Sequence, residues 1–137
     1  MKSPVVQKDE LGCGAACVAF VAECNYEDVT SYCGEQQAKS VGFYCKDLKV
    51  FLASRGMSYG YCYAKKSKLH LARREGSIVF VRRSTRFPAG HYLAYYKGWW
   101  MDPWQNFSVK SNDVCHARAN FRRVLPGEIQ YILYKET

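Results

Sequence analysis

Seven cysteines and three histidines are the side chains of this 137-residue chain that could supply a nucleophile and its base. A thiol attacks as its thiolate, so a nucleophilic cysteine needs a feature that lowers its pKa. Cys13 stands between two glycines at the start of a predicted helix, where the positive end of the helix dipole stabilises an anion. Cys13 is therefore the candidate nucleophile, although the same position also suits a tightly packed turn.

The other six cysteines have weaker claims to that role. Four of them lie on apolar positions in or beside predicted helices and are expected to be small buried hydrophobes: Cys17, Cys24, Cys33 and Cys45. The environments of Cys62 and Cys115 are less determined, but neither residue begins a helix. An odd number of cysteines without a secretory signal favours reduced thiols over a disulfide framework.

His91 is the preferred base among the three histidines. His70 lies in a charged stretch and His116 in an irregular region, so both are expected to be surface or structural residues. His91 directly follows Gly90 and begins an aromatic run that is typical of a strand. The base is therefore expected to lie on a regular element that can hold its ring in place.

The sequence after His91 predicts a β-hairpin. Two aromatic runs, residues 91–96 and 99–102, are separated by Lys97-Gly98, which suits a two-residue turn. In that register Asp102 is the diagonal cross-strand neighbour of His91 on one face, with backbone positions ~7 Å apart. A carboxylate there can fix the imidazole tautomer and stabilise the imidazolium, although an ordinary surface pair has the same spacing.

An oxyanion needs hydrogen-bond donors when a tetrahedral intermediate forms. Gln7 lies six residues before Cys13, at a distance from which its amide can join the backbone N–H of the nucleophile. Taken alone, a glutamine in a polar N-terminal segment is weak evidence for such a role. Its position relative to Cys13 makes it a candidate.

The candidate residues stand in two short motifs. One is Gln7-Lys-Asp-Glu-Leu-Gly-Cys13-Gly-Ala-Ala-Cys17, and the other is Gly90-His91-Tyr92, followed by Asp102-Pro103. In this order they resemble the Gln, Cys-Gly, His and Asp-Pro motifs of C39 peptidases. These are papain-like domains that remove double-glycine leader peptides from bacteriocin precursors.

The resemblance implies a papain-like α+β fold in which a helical N-terminal part packs on a C-terminal antiparallel sheet, in one domain over residues 1–137. It implies a thiol hydrolase that cleaves peptide or isopeptide bonds. Cys13 would be the nucleophile, His91 its base, Asp102 the residue that orients the base, and Gln7 a donor of the oxyanion hole. Such an enzyme uses no cofactor or metal, and its partner is a peptide or protein substrate.

Three features depart from that family, and the first is a loop between the histidine and the aspartate that is shorter than usual. Gly12 stands where many members have Asp. The best-known members are fused to membrane and ATPase domains, which these 137 residues do not contain. We therefore expect the catalytic residues to carry over and leave the leader-peptide substrate open.

Other functions are compatible with parts of the pattern. Transglutaminase-like acyltransferases share the Cys, His, Asp order but usually have a tryptophan directly after the cysteine, and papain-like cell-wall amidases are a further hydrolase class. A binding module without hydrolase activity is the main alternative, and the net charge of +8 leaves nucleic-acid binding open. The basic residues are scattered, however, and no Cys-x-x-Cys pair supports a zinc site.

The elements that would position these residues follow from the apolar spacing. Helices are predicted over 13–24, from Asn25 to Gly34, and over 45–55 with Gly56 at the C-terminal cap; the first is expected to bury one apolar stripe. Besides the hairpin, the patterns predict strands over 58–63, 77–81 and 128–134, a helical turn over 69–74, and an irregular region over 105–127 with a short helix near 112–119.

The composition bears on the cellular location of the protein and on the aromatic residues that could contact a substrate. No apolar run approaches the ~20 residues of a membrane span, and the N-terminal segment lacks the apolar core of a signal peptide, so we expect a cytoplasmic protein. The aromatic share of 15% is high. Several aromatic residues near His91 could line a substrate groove or belong to the core: Tyr92, Trp99, Trp100 and Trp104.

Overall fold

Helices precede a single antiparallel sheet in this structure, a computed structural model that describes residues 2–136. Within those residues the α-helices are α1 (Cys13–Ala22), α2 (Tyr26–Cys33) and α3 (Cys45–Ser54). The six strands are β1 (Tyr59–Tyr63), β2 (Ile78–Val81), β3 (His91–Tyr96), β4 (Trp99–Asp102), β5 (Asn120–Arg122) and β6 (Ile129–Lys135), in the spatial order β1-β6-β2-β3-β4-β5. The predicted α+β class, with helices first and the sheet after them, is confirmed.

Local capping explains where α2 and α3 begin. The Asp28 carboxylate accepts a hydrogen bond from the backbone N–H of Asn25 at 3.0 Å, and the Asp47 carboxylate accepts one from Tyr44 at 2.9 Å. Each acceptor lies three residues after its donor and satisfies an N–H at the helix start.

In the part of the chain that the structure describes, no helix combines the length and apolar character needed to cross a bilayer.

The prediction that α1 buries only one stripe is wrong. Every residue from 14 to 21 is buried, because the helix lies between β3 on one side and α2 and α3 on the other. The positions outside the expected stripe are small or apolar, so they pack as closely as the stripe itself. This central position places the start of α1 against the start of β3.

The β3–β4 hairpin forms as predicted. Tyr96 pairs with Trp99, and the two turn residues between them, Lys97 and Gly98, both have positive φ, at 48° and 86°. Positive φ at both central residues is the mark of a turn whose twist matches that of its strands. The short connection therefore holds β3 and β4 in one fixed register.

Both faces of the β3–β4 hairpin are covered. One face packs against α1 through side chains such as Tyr92, Ala94 and Met101. The other face carries Leu93 and Trp100, which belong to a second apolar cluster with the 3₁₀ segment Lys66–Arg73. The hairpin is therefore buried on both sides, and the residues at its open end are held firmly.

The region from 105 to 127 differs most from the prediction. It was expected to be irregular with a short helix near 112–119, and it contains a 3₁₀ turn at Val114–His116 and the three-residue strand β5, which pairs with β4. A π-helical turn at Gln37–Val41 was not predicted either. A strand of three residues has no measurable alternation, so its existence depends on the exposed edge of β4.

Candidate active site

Cys13 is the first residue of α1 and is half-buried. No side chain caps this helix start, so the N–H groups of the first turn have no helical acceptors. A Cβ at position 12 would lie 2.0 Å from the hydroxyl oxygen of Tyr26, which donates to Asp9 at 2.8 Å. Gly12 therefore leaves room for the tyrosine that packs against the helix start, and any larger residue at position 12 would collide with it.

His91 and Asp102 meet at the open end of the hairpin. The Nε2 atom of His91 lies 2.6 Å from Oδ1 of Asp102, and the side chains are 5% and 0% exposed. The same oxygen accepts the backbone N–H of Trp104 at 3.0 Å. The side chain of Cys13 lies near the His91 ring and contributes to the raised pKa of that ring. The structure thus brings the predicted nucleophile, base and orienting carboxylate together in that order.

The surroundings of His91 favour its protonated form. Burial by itself lowers the pKa of His91, but the hydrogen bond to Asp102, the negative charge of that carboxylate and the neighbouring Cys13 side chain outweigh it and raise the pKa to about 9. For Asp102 burial acts in the opposite direction, yet the hydrogen bonds it accepts hold the pKa of the carboxyl below its usual range. A thiolate at Cys13 would therefore face an imidazolium backed by a carboxylate.

The remaining cysteines lie in surroundings that disfavour a thiolate. Burial raises the pKa of five thiols, most strongly that of Cys17 inside α1: Cys17, Cys24, Cys33, Cys45 and Cys62. The pKa of the exposed Cys115 is also raised, mainly by its interaction with Asp113. The two histidines that were set aside, His70 and His116, are exposed, as predicted.

Gln7 lies in the site, but its amide is engaged. Its side chain is buried, and Nε2 donates to the backbone carbonyls of Asp9 at 3.0 Å and Glu10 at 3.1 Å. Its Oε1 atom has no hydrogen-bond partner among residues 2–136. The backbone N–H of Gln7 donates to the carbonyl of Pro103 at 3.3 Å, which ties the segment to the end of β4. An oxyanion role would require one amide hydrogen to leave its carbonyl.

Two further residues contact the site and were not predicted. The ring of Phe87, in the loop before β3, stacks on the imidazole of His91 with centroids 4.7 Å apart and planes 2° from parallel. Arg122, on β5, donates from Nη1 to Oδ2 of Asp102 at 3.1 Å. Both lie in stretches without periodicity, so no sequence pattern distinguishes them from other aromatic or basic residues.

A cavity of about 1190 Å³ opens beside these residues and includes Gln7, Cys13 and His91 in its lining. Trp104 and Tyr92 also line it, whereas Trp100 lies in the core on the opposite face of the sheet and Trp99 stacks under the guanidinium of Arg123 at 4.1 Å. Two of the four aromatic residues named from the sequence therefore line the cavity.

A row of aromatic rings runs across the sheet from this cavity towards its edge. Tyr92 on β3 pairs with Phe80 on β2, Phe80 with Tyr131 on β6, and Tyr131 with Tyr63 on β1. The ring centroids are 4.9, 6.3 and 5.7 Å apart along the row. Cross-strand aromatic pairs stabilise the sheet, and here the outer rings remain exposed beside the cavity.

Comparison with known proteins adds no assignment to this site: the chain matches no family model and has no significant match among curated proteins. Residues 2–136 contain no group of three His, Cys, Asp or Glu side chains that could hold a metal ion. The interpretation of the site therefore depends on its own geometry.

Proposed function

We propose that this protein is a papain-like cysteine peptidase of the C39 type, a thiol hydrolase that acts on peptide or isopeptide bonds. The observation that carries the proposal is the placement of His91, which hydrogen-bonds to Asp102 at 2.6 Å and lines one cavity together with Cys13. A buried base held in this way has one tautomer and one orientation. The α+β class supports the proposal, since a helix start meets a strand start at the site.

The chemistry would proceed in two steps. The Cys13 thiolate attacks the carbonyl carbon of the scissile bond, and the imidazolium of His91 gives its proton to the leaving amine as the C–N bond breaks. A thioester remains on Cys13. His91, now neutral, takes a proton from water, whose oxygen attacks the thioester. The C–S bond breaks, the acid product leaves, and Cys13 returns to its thiolate beside the protonated His91, while Asp102 stays ionised throughout.

The oxyanion of each intermediate would be held at the start of α1. The backbone N–H of Cys13 has no helical acceptor and is available to donate. Gln7 would supply the second donor once one hydrogen of its amide turns away from the carbonyl of Asp9 or Glu10. We propose that substrate binding causes this turn, because a developing oxyanion is a stronger acceptor than a neutral carbonyl.

The cavity beside Cys13 supports a peptide substrate. Its size of about 1190 Å³ exceeds that of a single side chain, and the exposed aromatic rings beside it offer flat apolar contacts to an extended chain. Arg82 and Arg83 also line it. We include a cytoplasmic location in the proposal, since all seven cysteines are free thiols and a catalytic thiolate needs reducing surroundings.

Alkylation of the native protein across a pH series tests the proposal. Iodoacetamide is added between pH 4 and pH 9, and mass spectrometry measures the modified fraction of each cysteine. The thiolate of Cys13 is expected to displace iodide from the reagent and form an S–C bond at a lower pH than any other cysteine. At pH 6 its rate is expected to be about 100-fold above that of the exposed Cys115. The His91→Ala variant is expected to remove that advantage, because the imidazolium that stabilises the thiolate is gone.

The matched control is His116→Ala, which removes an exposed histidine that has no predicted catalytic role. It should leave the pH profile of Cys13 unchanged. If Cys13 of the unaltered protein reacts no faster than Cys115 at pH 6, the hydrolase proposal is wrong. Retention on a DNA column that weakens with salt would then support the alternative of a nucleic-acid-binding module.

A further inference from the structure

Arg122 reaches the Asp102 carboxylate from the strand opposite His91. In the β4–β5 register Trp100 pairs with Arg122 and Asp102 pairs with Asn120, so Arg122 is a diagonal neighbour of Asp102. Its Nη1 atom donates to Oδ2 of Asp102 at 3.1 Å, and its Nε donates to the carbonyl of Val124 at 2.9 Å. The guanidinium is thus held at two points, with its side chain 20% exposed.

The two oxygens of Asp102 serve different partners. Oδ1 accepts from His91 at 2.6 Å and from the backbone N–H of Trp104 at 3.0 Å, while Oδ2 accepts from Arg122 at 3.1 Å. Any rotation of the carboxylate breaks at least one of these hydrogen bonds. The plane of the carboxylate, and therefore the direction in which it holds the imidazole, is set from both neighbouring strands.

We propose that Arg122 is a positioning residue of the site, a permanent cation that keeps Asp102 ionised and aimed while His91 gains and loses its proton. This inference rests on the proposed hydrolase function. When His91 is neutral, a buried carboxylate without Arg122 would have no charged partner, which is costly. When His91 is protonated, two cations share one carboxylate, so the proton leaves His91 more easily than it would without Arg122.

Other charged groups face the base from the surrounding elements. Cys13 approaches from α1 and Asp102 from β4. In the loop before β3, the guanidinium carbon of Arg86 lies 5.4 Å from the centroid of Phe87, whose ring stacks on His91. The cavity lining adds Glu10, Lys46, Arg82 and Arg83. Within residues 2–136, Arg122 hydrogen-bonds to the carboxylate that holds His91, and none of the other arginine or lysine side chains does so.

The test separates the charge of Arg122 from its hydrogen bond. Arg122→Gln keeps a donor but removes the charge, whereas Arg122→Lys keeps the charge but loses the planar fork and the bond to Val124. Cys13 is alkylated with iodoacetate and, separately, with iodoacetamide from pH 5 to pH 11. The anionic reagent is attracted by the imidazolium, so the ratio of the two rates falls where His91 loses its proton.

We expect the midpoint of that fall to move upwards by about 0.5 to 1 pH unit in Arg122→Gln and to stay near the value of the unaltered protein in Arg122→Lys. Arg123→Gln, which removes the next residue along the chain, is the matched control and should leave the midpoint in place. A purely structural role predicts slower alkylation with no movement of the midpoint.

The outcomes distinguish this inference from the proposed function. If the unaltered protein lacks fast alkylation of Cys13 at pH 6, the hydrolase proposal fails. If it has that reactivity and Arg122→Gln shares its midpoint, only the role of Arg122 is overturned. Should Arg122→Gln not fold, Arg122→Met, which also removes the charge, takes its place, and a midpoint that does not move in that variant would overturn the inference.

Discussion

His91 and Arg122 approach one carboxylate from opposite sides of β4, and they differ in burial, in their other contacts and in their ability to titrate. His91 is almost fully buried, stacks under Phe87 and faces the cavity with Cys13. Arg122 is partly exposed, is tied to a backbone carbonyl and does not line that cavity. The histidine side can gain and lose a proton, whereas the arginine side cannot.

The difference teaches how a buried carboxylate can serve a partner whose charge changes. Asp102 has one permanent cation and one that titrates, so it is never left without a hydrogen-bonded partner. An asparagine at this position could not do the same. Its single oxygen could accept from His91 or from Arg122, and its NH₂ group would then face a donor or force the other imidazole tautomer.

Replacing the shared residue should break both sides at once, and we expect this to be the largest effect. Asp102→Asn should lower the free energy of unfolding by about 3 kcal/mol, because a buried ionic partner is lost. Alkylation of Cys13 at pH 6 should slow by about 100-fold, since the tautomer is no longer fixed. Urea unfolding and mass spectrometry measure the two effects. Asp113→Asn, on the surface, is the control and should change neither by a measurable amount.

Raising the pH should weaken only the histidine side. The pKa of His91 is about 9 in the folded protein, above its ordinary value of 6.5. The stabilisation is therefore fully present below pH 6.5 and is lost as the pH rises through 9, with a total of about 3 kcal/mol. Urea unfolding at pH 6.5 and 9.5 measures the loss. The same loss in His91→Gln would assign it to other titrating groups and contradict the prediction.

A double-mutant cycle should show that the two sides are coupled. The single variants His91→Gln and Arg122→Gln each leave Asp102 with one cation, and the double variant leaves it with none. We expect the effects on the free energy of unfolding to depart from additivity by about 1 kcal/mol or more. A sum that matches the double variant within about 0.3 kcal/mol would mean that the two residues act independently.

The smallest expected effect concerns the ring that covers the histidine side. Phe87→Leu keeps an apolar side chain but loses the stacking on His91, at a cost of about 1 kcal/mol. Alkylation of Cys13 at pH 6 should slow a few-fold, because water gains access to the bond between His91 and Asp102. Phe107→Leu is the matched control, since Phe107 contacts Phe87 at 5.4 Å and has no stacking contact with His91. Equal slowing in both variants would point to loop packing instead.

Much of the local structure near the site followed from the sequence. The start of α1 at Cys13 was predicted, and so were the hairpin register and both hairpin strands. These features depend on short-range patterns, a helix start and a two-residue turn, that the chain encodes within a few residues. The catalytic roles of Cys13, His91, Asp102 and Gln7 remain predictions.

The surroundings of the site did not follow from the sequence. The strand β5 was missed because three residues carry no pattern, and Arg122 was missed with it. The burial of α1 on all sides was not predicted, because glycine and alanine are too small and too weakly apolar to mark a position as buried in a hydrophobic pattern. The engaged amide of Gln7 depends on the path of the chain through residues 9 and 10, which no motif specifies.

The sequence by itself determined which residue begins the first helix and which two residues oppose each other across the hairpin, since both depend on neighbours close in the chain. Only the tertiary structure decided that these two elements meet. Cys13 and His91 are separated by most of the helical region and by β1 and β2, and α1 must pack on β3 before the thiol can reach the imidazole. The same packing supplied Asp102 with its second cation, because an edge of β4 was free to pair with β5.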